Sequence, residues 1–425
     1  MNSLKYGKNK VESSEKCEKQ PLSNTERTLS VSGAGVMQTA PKISAIILTC
    51  NRAERCRDVV ANTARRLASI PAEIVVVNNG APGLELAEHI ASVPCRVLQM
   101  PCNLGTFARN NGWRQAKGDF ILALDDDAYI DQGLPEAMLK VFDAHPDAGA
   151  VFFRVHDGKK EEACLLPTVF HGCACGFRRS ALKQAGGYPK NFVYYGEEYH
   201  LSFRLIQEGF KLILCENAKP VYHARDQAGR NIDRIIRFLV RNNLRLWFQF
   251  LPAHAIPGAV ADTLRWYRLV AAKEQAQYGF TTGCALAPFA IVRGLIQRHP
   301  LTQPLFEEVT LLTGLRSACQ SLHAKAIKRV IICGVGKFPS LWLGCLKQAN
   351  ISVQSFLDHN TAWLGSKIQH IPVQVVSDAL PRPEPGIAWL IGTASLAENR
   401  SWQKQLTQAG YTDNLVVIPA SVSEH

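Results

Sequence analysis

This chain of 425 residues lacks several things that would place it quickly. It has no run of about 18 uninterrupted apolar residues, so no transmembrane helix is expected. Its first residues hold no apolar stretch of the kind a secretory signal needs, so none is expected there. Its thirteen cysteines form no Cys-x-x-Cys pair and no framework spacing, and Cys173 and Cys175 are too close together for a zinc knuckle. The expectation is reduced, mostly buried thiols in a cytosolic protein. Basic residues are not interleaved with aromatics in a recognisable nucleic-acid module, so nucleic acid is not the expected partner. The net charge of +12 and pI near 9.1 then point to nucleotide phosphates or a membrane surface. At this length two or three domains are expected.

What is present centres on residues 120–127, Phe-Ile-Leu-Ala-Leu-Asp-Asp-Asp. Five apolar residues in a row read as a strand buried on both faces. Three carboxylates follow where such a strand leaves its sheet. Adjacent carboxylates repel one another and are costly to bury unpaired. Two readings fit these eight residues. One is a site for a hard divalent cation with a phosphate beyond it. The other is a solvated loop that caps a helix.

Residues 1–41 are polar and of mixed charge, and read as a disordered tail. From Lys42 the pattern alternates. Strands are expected at 43–48, 73–77, 96–99, 120–124, 149–155 and 211–215. Helices are expected at 54–67, 84–91, 106–117 and 180–185. This alternation predicts a mainly parallel α/β sheet with its loops gathered along one edge. The segment from His171 to Gly176, with Gly172 inside it, is small enough to let a ligand approach the backbone.

Residues 229–324 read as helical. Arg230, Arg234, Arg237, Arg241 and Arg245 recur every three or four positions and form one stripe, with Ile, Leu and Trp on the other side. Either this helix lies on an anionic membrane or it docks on its own domain with a solvated arginine face. Residues 279–297 are apolar but carry Pro288 and Arg293, which favours a buried or interfacial helix over a spanning one. Residues 325–425 read as a small Rossmann-like domain. Gly334-Val335-Gly336 lies at a strand–helix turn and Asp358 ends the next strand, but the third glycine of a dinucleotide fingerprint is missing.

Across 42–228 several ordered motifs coincide: Ile47 to Arg52; Val75 to Gly80; Asn103-Leu104-Gly105 with Arg109, Asn110 and Gly112; Leu124 to Asp127; Gly172 to Arg179; Gly196 to Arg204; and His223. Together they resemble family 2 glycosyltransferases of the GT-A fold, in the branch that includes bacterial rhamnosyltransferase-like enzymes. The resemblance implies that Thr49, Asn51, Arg52 and Asn78 hold the nucleotide base and ribose. Asn78 stands where many relatives have an aspartate. Asp125 or Asp126 would touch the ribose, and Asp127 with His223 would hold Mn2+ or Mg2+, the imidazole favouring Mn2+. Arg109 either faces the diphosphate or is a surface arginine. Glu197-Glu198-Tyr199-His200 stands where the family has Glu-Asp-x-Asp, so Glu198 takes the place of the catalytic base. Glu197, His200 and Gly172 would lie on the acceptor side, with His200 a departure from the pattern.

The expected activity is inverting, metal-dependent transfer of a sugar from a UDP- or dTDP-type donor to a saccharide or lipid-linked acceptor in bacterial surface glycan assembly. The expected location is cytoplasmic, with peripheral contact to the inner face of the membrane. The alternatives are a degenerate nucleotide-binding scaffold and a sugar nucleotidyltransferase, although the latter's basic glycine-rich loop after the first strand is absent.

Overall fold

The computed structural model describes residues 40–418 apart from 163–165, 167, 226–230, 377–379, 381–385, 393–395 and 412–414. The expected tail falls almost wholly outside the described residues, as does Arg230. In chain order the first part contains β1 (Ile43–Thr49), α1 (Ala53–Leu67), β2 (Ala72–Asn79), β3 (His89–Ile90), β4 (Val93–Met100), α2 (Arg109–Gln115), β5 (Phe120–Asp125) and β6 (Ala128–Tyr129). It continues with α3 (Leu134–Ala144), β7 (Ala148–Phe152), β8 (Val155–His156), β9 (Ala174–Arg178), α4 (Arg179–Ala185), α5 (Glu197–Gln207), β10 (Lys211–Leu214) and β11 (Val221–His223).

One eight-stranded sheet runs in the order β10-β7-β9-β5-β1-β2-β4-β3. β1, β2 and β5 are parallel and buried along almost their whole length, which is why they read as continuous apolar runs. Their register sets Thr49 opposite Asn78 and Leu48 opposite Asp125. The polar residues that follow each run therefore emerge side by side at the carboxyl ends of the strands, where ligands bind in open α/β sheets.

Two sequence expectations are corrected here. Residues 84–91 form no helix; the segment ends in β3, paired antiparallel with β4. Ala91 and Ser92 both take positive φ, 48° and 68°, the geometry of a two-residue hairpin turn. So short a helix is marginal by itself, and extending the sheet edge satisfies the same backbone groups. The second correction concerns the sheet centre. β9, for which no strand was expected, is antiparallel to both β5 and β7 in a sheet expected to be mainly parallel. Its small residues are a packing requirement: a Cβ on Gly176 would lie 2.3 Å from the Met138 sulfur.

The helical middle contains α6 (Ile232–Phe250), α7 (Ile256–Lys273), α8 (Gln277–Ile296), α9 (Gln303–Val309) and α10 (Leu312–Ala324). α6 is a hub, with Ile236, Val240, Leu244, Trp247 and Phe250 in the core. Its arginine stripe is not fully solvated. Arg241 donates to the carbonyls of Asn191 and Phe192, Arg245 is 5% exposed, and α8 packs across Asp233, Arg237, Val240 and Arg245. Long arginine stems can be buried when the guanidinium finds carbonyls or ring faces. Among the described residues α8 alone is long and apolar enough to cross a membrane by length and composition, and Pro288 sits inside it without ending it.

The last part contains β12 (Arg329–Cys333), α11 (Pro339–Gln348), β13 (Ser352–Asp358), β14 (Lys367–Ile368), β15 (Ile371–Val375), β16 (Ile387–Ile391), α12 (Leu396–Gln408) and β17 (Leu415–Val417). Its six strands run β14-β15-β13-β12-β16-β17. This β/α region shares one core with α5 and α6, because Phe203, Trp247, Phe338, Trp342 and Phe356 belong to a single cluster. Asp358 accepts the Val335 N–H at 3.0 Å, and Lys337 donates to Asn243 at 2.8 Å while lying over the Tyr199 ring. The glycine turn and its acidic residue are thus engaged in internal contacts. Ten described cysteines are free thiols, most of them buried.

Candidate active site

The three carboxylates do not cap α3, which begins after Gly133. Each has its own partners. Asp125 pairs with Arg109. Asp126 accepts Thr49 Oγ1 at 2.7 Å and Arg52 at 3.0 Å. Asp127 accepts the same Arg52 at 2.9 Å and lies 3.3 Å from His223 Nε2. Asp126 and Asp127 are each 5% exposed, so their charges are felt strongly. Burial pushes the Asp126 carboxyl up to about 6 against the help of Thr49 and Arg52. Burial would also raise Asp127, but the hydrogen bonds and charges of His223 and Arg52 outweigh it and hold that carboxyl below its usual range. Burial outweighs Arg109 at Asp125 and raises it.

His223 arrives from far along the chain. β11 pairs antiparallel with β6, setting His223 opposite Ala128, and the Ala224 N–H donates to the Asp127 carbonyl at 2.8 Å. Its Nδ1 faces Glu162 Oε1 at 2.9 Å. Burial alone would lower the ring's pKa, but Asp127, Cys173 and Glu162 push it up to about 12. One ligand atom each from Asp125, Asp127 and His223 lie within 4.8 Å of one another. Two carboxylates and an imidazole, the ring held at its other nitrogen by a carboxylate, form a donor set that fits Mn2+. Glu162 carried no motif, and nothing in the sequence singled it out.

Asn78 is buried at the end of β2. Its Nδ2 donates to the Ala81 carbonyl at 2.5 Å and to Gln99 at 2.8 Å. Because a carbonyl can only accept, these partners assign the amide orientation and leave Oδ1 as the acceptor. Asn51 takes φ 57° on the exposed loop after β1, beside Arg52. Arg109 is 1% exposed, which overturns its reading as a surface arginine. It lies beneath Asp125 and over the Tyr188 ring at 5.4 Å. Gly172 immediately precedes Cys173, whose carbonyl accepts the Asp125 N–H at 2.8 Å, and a Cβ at Gly172 would meet open space.

Glu197 and Glu198 open α5 after a strained loop. Asn191, Val193 and Tyr195 all take positive φ, at 68°, 68° and 67°, a costly state for such residues. Asn242 of α6, fully buried, holds the loop by donating to the carbonyls of Phe192, Tyr194 and Tyr195 at 3.1, 3.0 and 2.7 Å. From the other side Val193 O accepts the Thr106 N–H, and at Gly105 a Cβ would lie 2.0 Å from that oxygen. Only glycine fits there. Burial and then the Glu198 charge raise Glu197 well above its ordinary value, with Arg109 opposing. Burial raises Glu198 too, against the N–H of Gly196 and the charge of Lys337. The sequence pattern did not single out Asn242; its signal was a pair of adjacent asparagines within an otherwise basic and apolar helix.

His200 packs edge-on against Phe192 and Phe250. Burial, then the charges of Arg245 and Arg204, push its ring down to about 3. An unfolded histidine titrates near 6.5, so between these values the unfolded state binds more protons. The stabilising effect is complete above about pH 6.5 and is lost as pH falls. Between about pH 6.5 and pH 5 this ring should cost about 2 kcal/mol of stability. Urea unfolding at the two pH values should show that loss, and His200→Gln should reduce it by about that amount.

Residues 44–169 match the family model described as glycosyl transferase family 2. The curated proteins include an uncharacterized glycosyltransferase, YwdF of Bacillus subtilis (strain 168), 30% identical over 125 residues, which are 28% of this chain and 46% of that protein. The chain thus spans under half the length of that relative. Similar solved structures include the mannosyltransferase PcManGT from Pyrobaculum calidifontis in complex with GDP-Man and Mn2+, at 18% identity and TM-score 0.40 over 73% of this chain and 87% of that one. Another is S. aureus TarS 1–349 in complex with UDP-GlcNAc, at 17% identity and TM-score 0.44 over 60% and 84%. The family match contains Thr49, Asn78, Arg109 and all three aspartates, and stops before Glu197, Glu198 and His223. Across residues 44–169 the chain is therefore similar to glycosyl transferase family 2, and its α/β sheet is consistent with the GT-A fold.

Proposed function

We propose that the chain is an inverting, metal-dependent glycosyltransferase. It takes a UDP- or dTDP-type sugar donor and a saccharide or lipid-linked acceptor, in bacterial surface glycan assembly on the cytoplasmic side of the membrane. The catalytic unit is residues 42–228, followed by a helical segment over 229–324 and a Rossmann-like unit over 325–425. One observation carries the reading. Ligand atoms of Asp125, Asp127 and His223 converge within 4.8 Å at the level ends of β1, β2 and β5.

The Asn78 carbonyl accepts the imide N–H of a uracil or thymine. Thr49 orients Asp126, and Asn51 and Arg52 line the mouth of the nucleotide site. Arg109 holds Asp125 in place, while Glu162 fixes the His223 ring. Asp127 and His223, with Asp125 beside them, would hold Mn2+ or Mg2+, which would supply positive charge to the leaving nucleoside diphosphate. The acceptor hydroxyl attacks the anomeric carbon as the bond from that carbon to the diphosphate oxygen breaks. Its proton passes to Glu198, and the configuration inverts. A raised Glu198 pKa brings this carboxylate closer to the working pH, which suits a base. Gly172, Glu197 and His200 shape the acceptor side.

Calorimetric titration with UDP, dTDP and GDP, each with and without Mn2+, tests the donor half. At least one diphosphate is expected to bind about tenfold or more tighter with the metal, about 1.4 kcal/mol. Metal-independent binding of all three, or none, would favour a non-catalytic scaffold.

A further inference from the structure

α8 turns its large apolar residues the wrong way for a core helix. Gly279, Gly283, Ala287, Ala290 and Gly294 are buried along one face. They let α8 lie flush on α6: a Cβ at Gly279 would sit 2.2 Å from the Asp233 carbonyl, and one at Gly294 would sit 2.7 Å from the Arg245 carbonyl. The opposite face carries Tyr278, Phe289, Val292 and Ile296, which are 70%, 74%, 54% and 79% exposed. Their spacing puts them in one row. An apolar row of this size on a protein surface marks an interaction site. A spanning role does not fit, because α8 is flush against a helix bearing Arg234, Arg237, Arg241 and Arg245.

A cavity of about 480 Å³ opens at the C-terminal end of the same helix. Its wall includes Arg293 and Ile296 of α8, Arg245 of α6, Arg204 and His200 of α5, and Lys190; among the described residues no carboxylate lines it. Arg245 is 5% exposed, and its guanidinium has Gln297 at 2.8 Å and the Phe192 ring face at 4.5 Å, while its Nε has no hydrogen-bond partner. Among these cations Arg204 has a carboxylate nearby, Glu208 at 2.9 Å. Arg245 is buried beside the more exposed Arg204 and Arg293, and a buried cation among like charges is costly unless an anion joins them. The cavity therefore offers charge to an anion at the very end of an exposed apolar row.

We propose that α8 lies in the plane of a lipid surface with Phe289, Val292 and Ile296 at the acyl boundary, and that the cavity beside Arg293 takes the phosphate of an anionic lipid. The chemistry requires both parts: apolar rings for the acyl chains, and an arginine cluster for a phosphate held at headgroup depth. This surface lies apart from the aspartate cluster, although His200 of the cavity wall also stands on the proposed acceptor side; vesicle binding without nucleotide tests it separately from sugar transfer.

The test is vesicle flotation of the full chain without nucleotide, using phosphatidylcholine vesicles with and without phosphatidic acid. The chain is expected to float with the phosphatidic acid vesicles and to be released by salt. Arg293→Glu should weaken that binding about thirtyfold. Phe289→Ser with Ile296→Ser should weaken it about a hundredfold. Both sets lie on the exposed face, and unchanged thermal melting would show that the fold is intact. Three results would overturn the proposal: no flotation with either vesicle; flotation that the variants leave unchanged; or binding of inorganic phosphate sensitive to Arg293→Glu without any vesicle binding. A dimer that the Phe289 and Ile296 changes dissolve, with no lipid binding, would also overturn it by assigning the row to a second copy of this chain.

Discussion

Asp127→Ala should lower kcat/KM for sugar transfer by about three orders of magnitude or more, about 4 kcal/mol of transition-state stabilisation. Asp127 is nine-tenths buried and stands between His223 and Arg52. Its removal takes one oxygen from the proposed metal set and leaves two cationic side chains facing each other. Nucleoside diphosphate binding should then lose its dependence on Mn2+, although the Asn78 end of the site is untouched. Asp127→Asn is the companion variant: it keeps the shape, removes the charge, and should fall with it. Titration calorimetry and a transfer assay read the two effects separately. Retained metal-dependent binding in both variants would remove Asp127 from the metal site.

Glu198→Gln should lower kcat by about a hundred- to ten-thousandfold, the range for losing a positioned general base. It should leave Mn2+-dependent nucleotide binding within about twofold, because Glu198 lies outside the aspartate cluster. Glu197→Gln is the informative neighbour. Arg109 and Asp125 act on Glu197 electrostatically, whereas Lys337 acts on Glu198. Glu197→Gln is expected to disturb donor binding more than kcat. If Glu197→Gln abolishes transfer with nucleotide binding intact, and Glu198→Gln stays active, the base is Glu197.

The donor half is legible in the amino-acid sequence because strand runs and the polar residues after them are local signals. Ile43–Thr49, Ala72–Asn79 and Phe120–Asp125 are apolar enough to name themselves, and parallel pairing then brings their ends together. What is not legible there depends on distant partners. Gly176 reads as small backbone that a ligand approaches, yet the Met138 side chain packs against it. Arg109 looks solvent-facing on a short polar helix, yet Asp125 and Tyr188 enclose it. The α6 stripe has the spacing of a membrane helix, but periodicity reports which residues share a face, not what covers that face. Here α8 covers much of it.

The clamp of Asn242 on the loop before α5 bears on how this protein can be cut and recombined. A fragment ending near residue 228 would contain Asp125, Asp126, Asp127, His223, Glu197 and Glu198, yet would lack the amide that secures three carbonyls of a loop in which three non-glycine residues take positive φ. Such a fragment would keep the proposed donor site and lose the placement of the carboxylates proposed for the acceptor side. The unit that folds α5 in place is therefore larger than the family match, and a chimera that exchanges α5 has to carry α6 along with it.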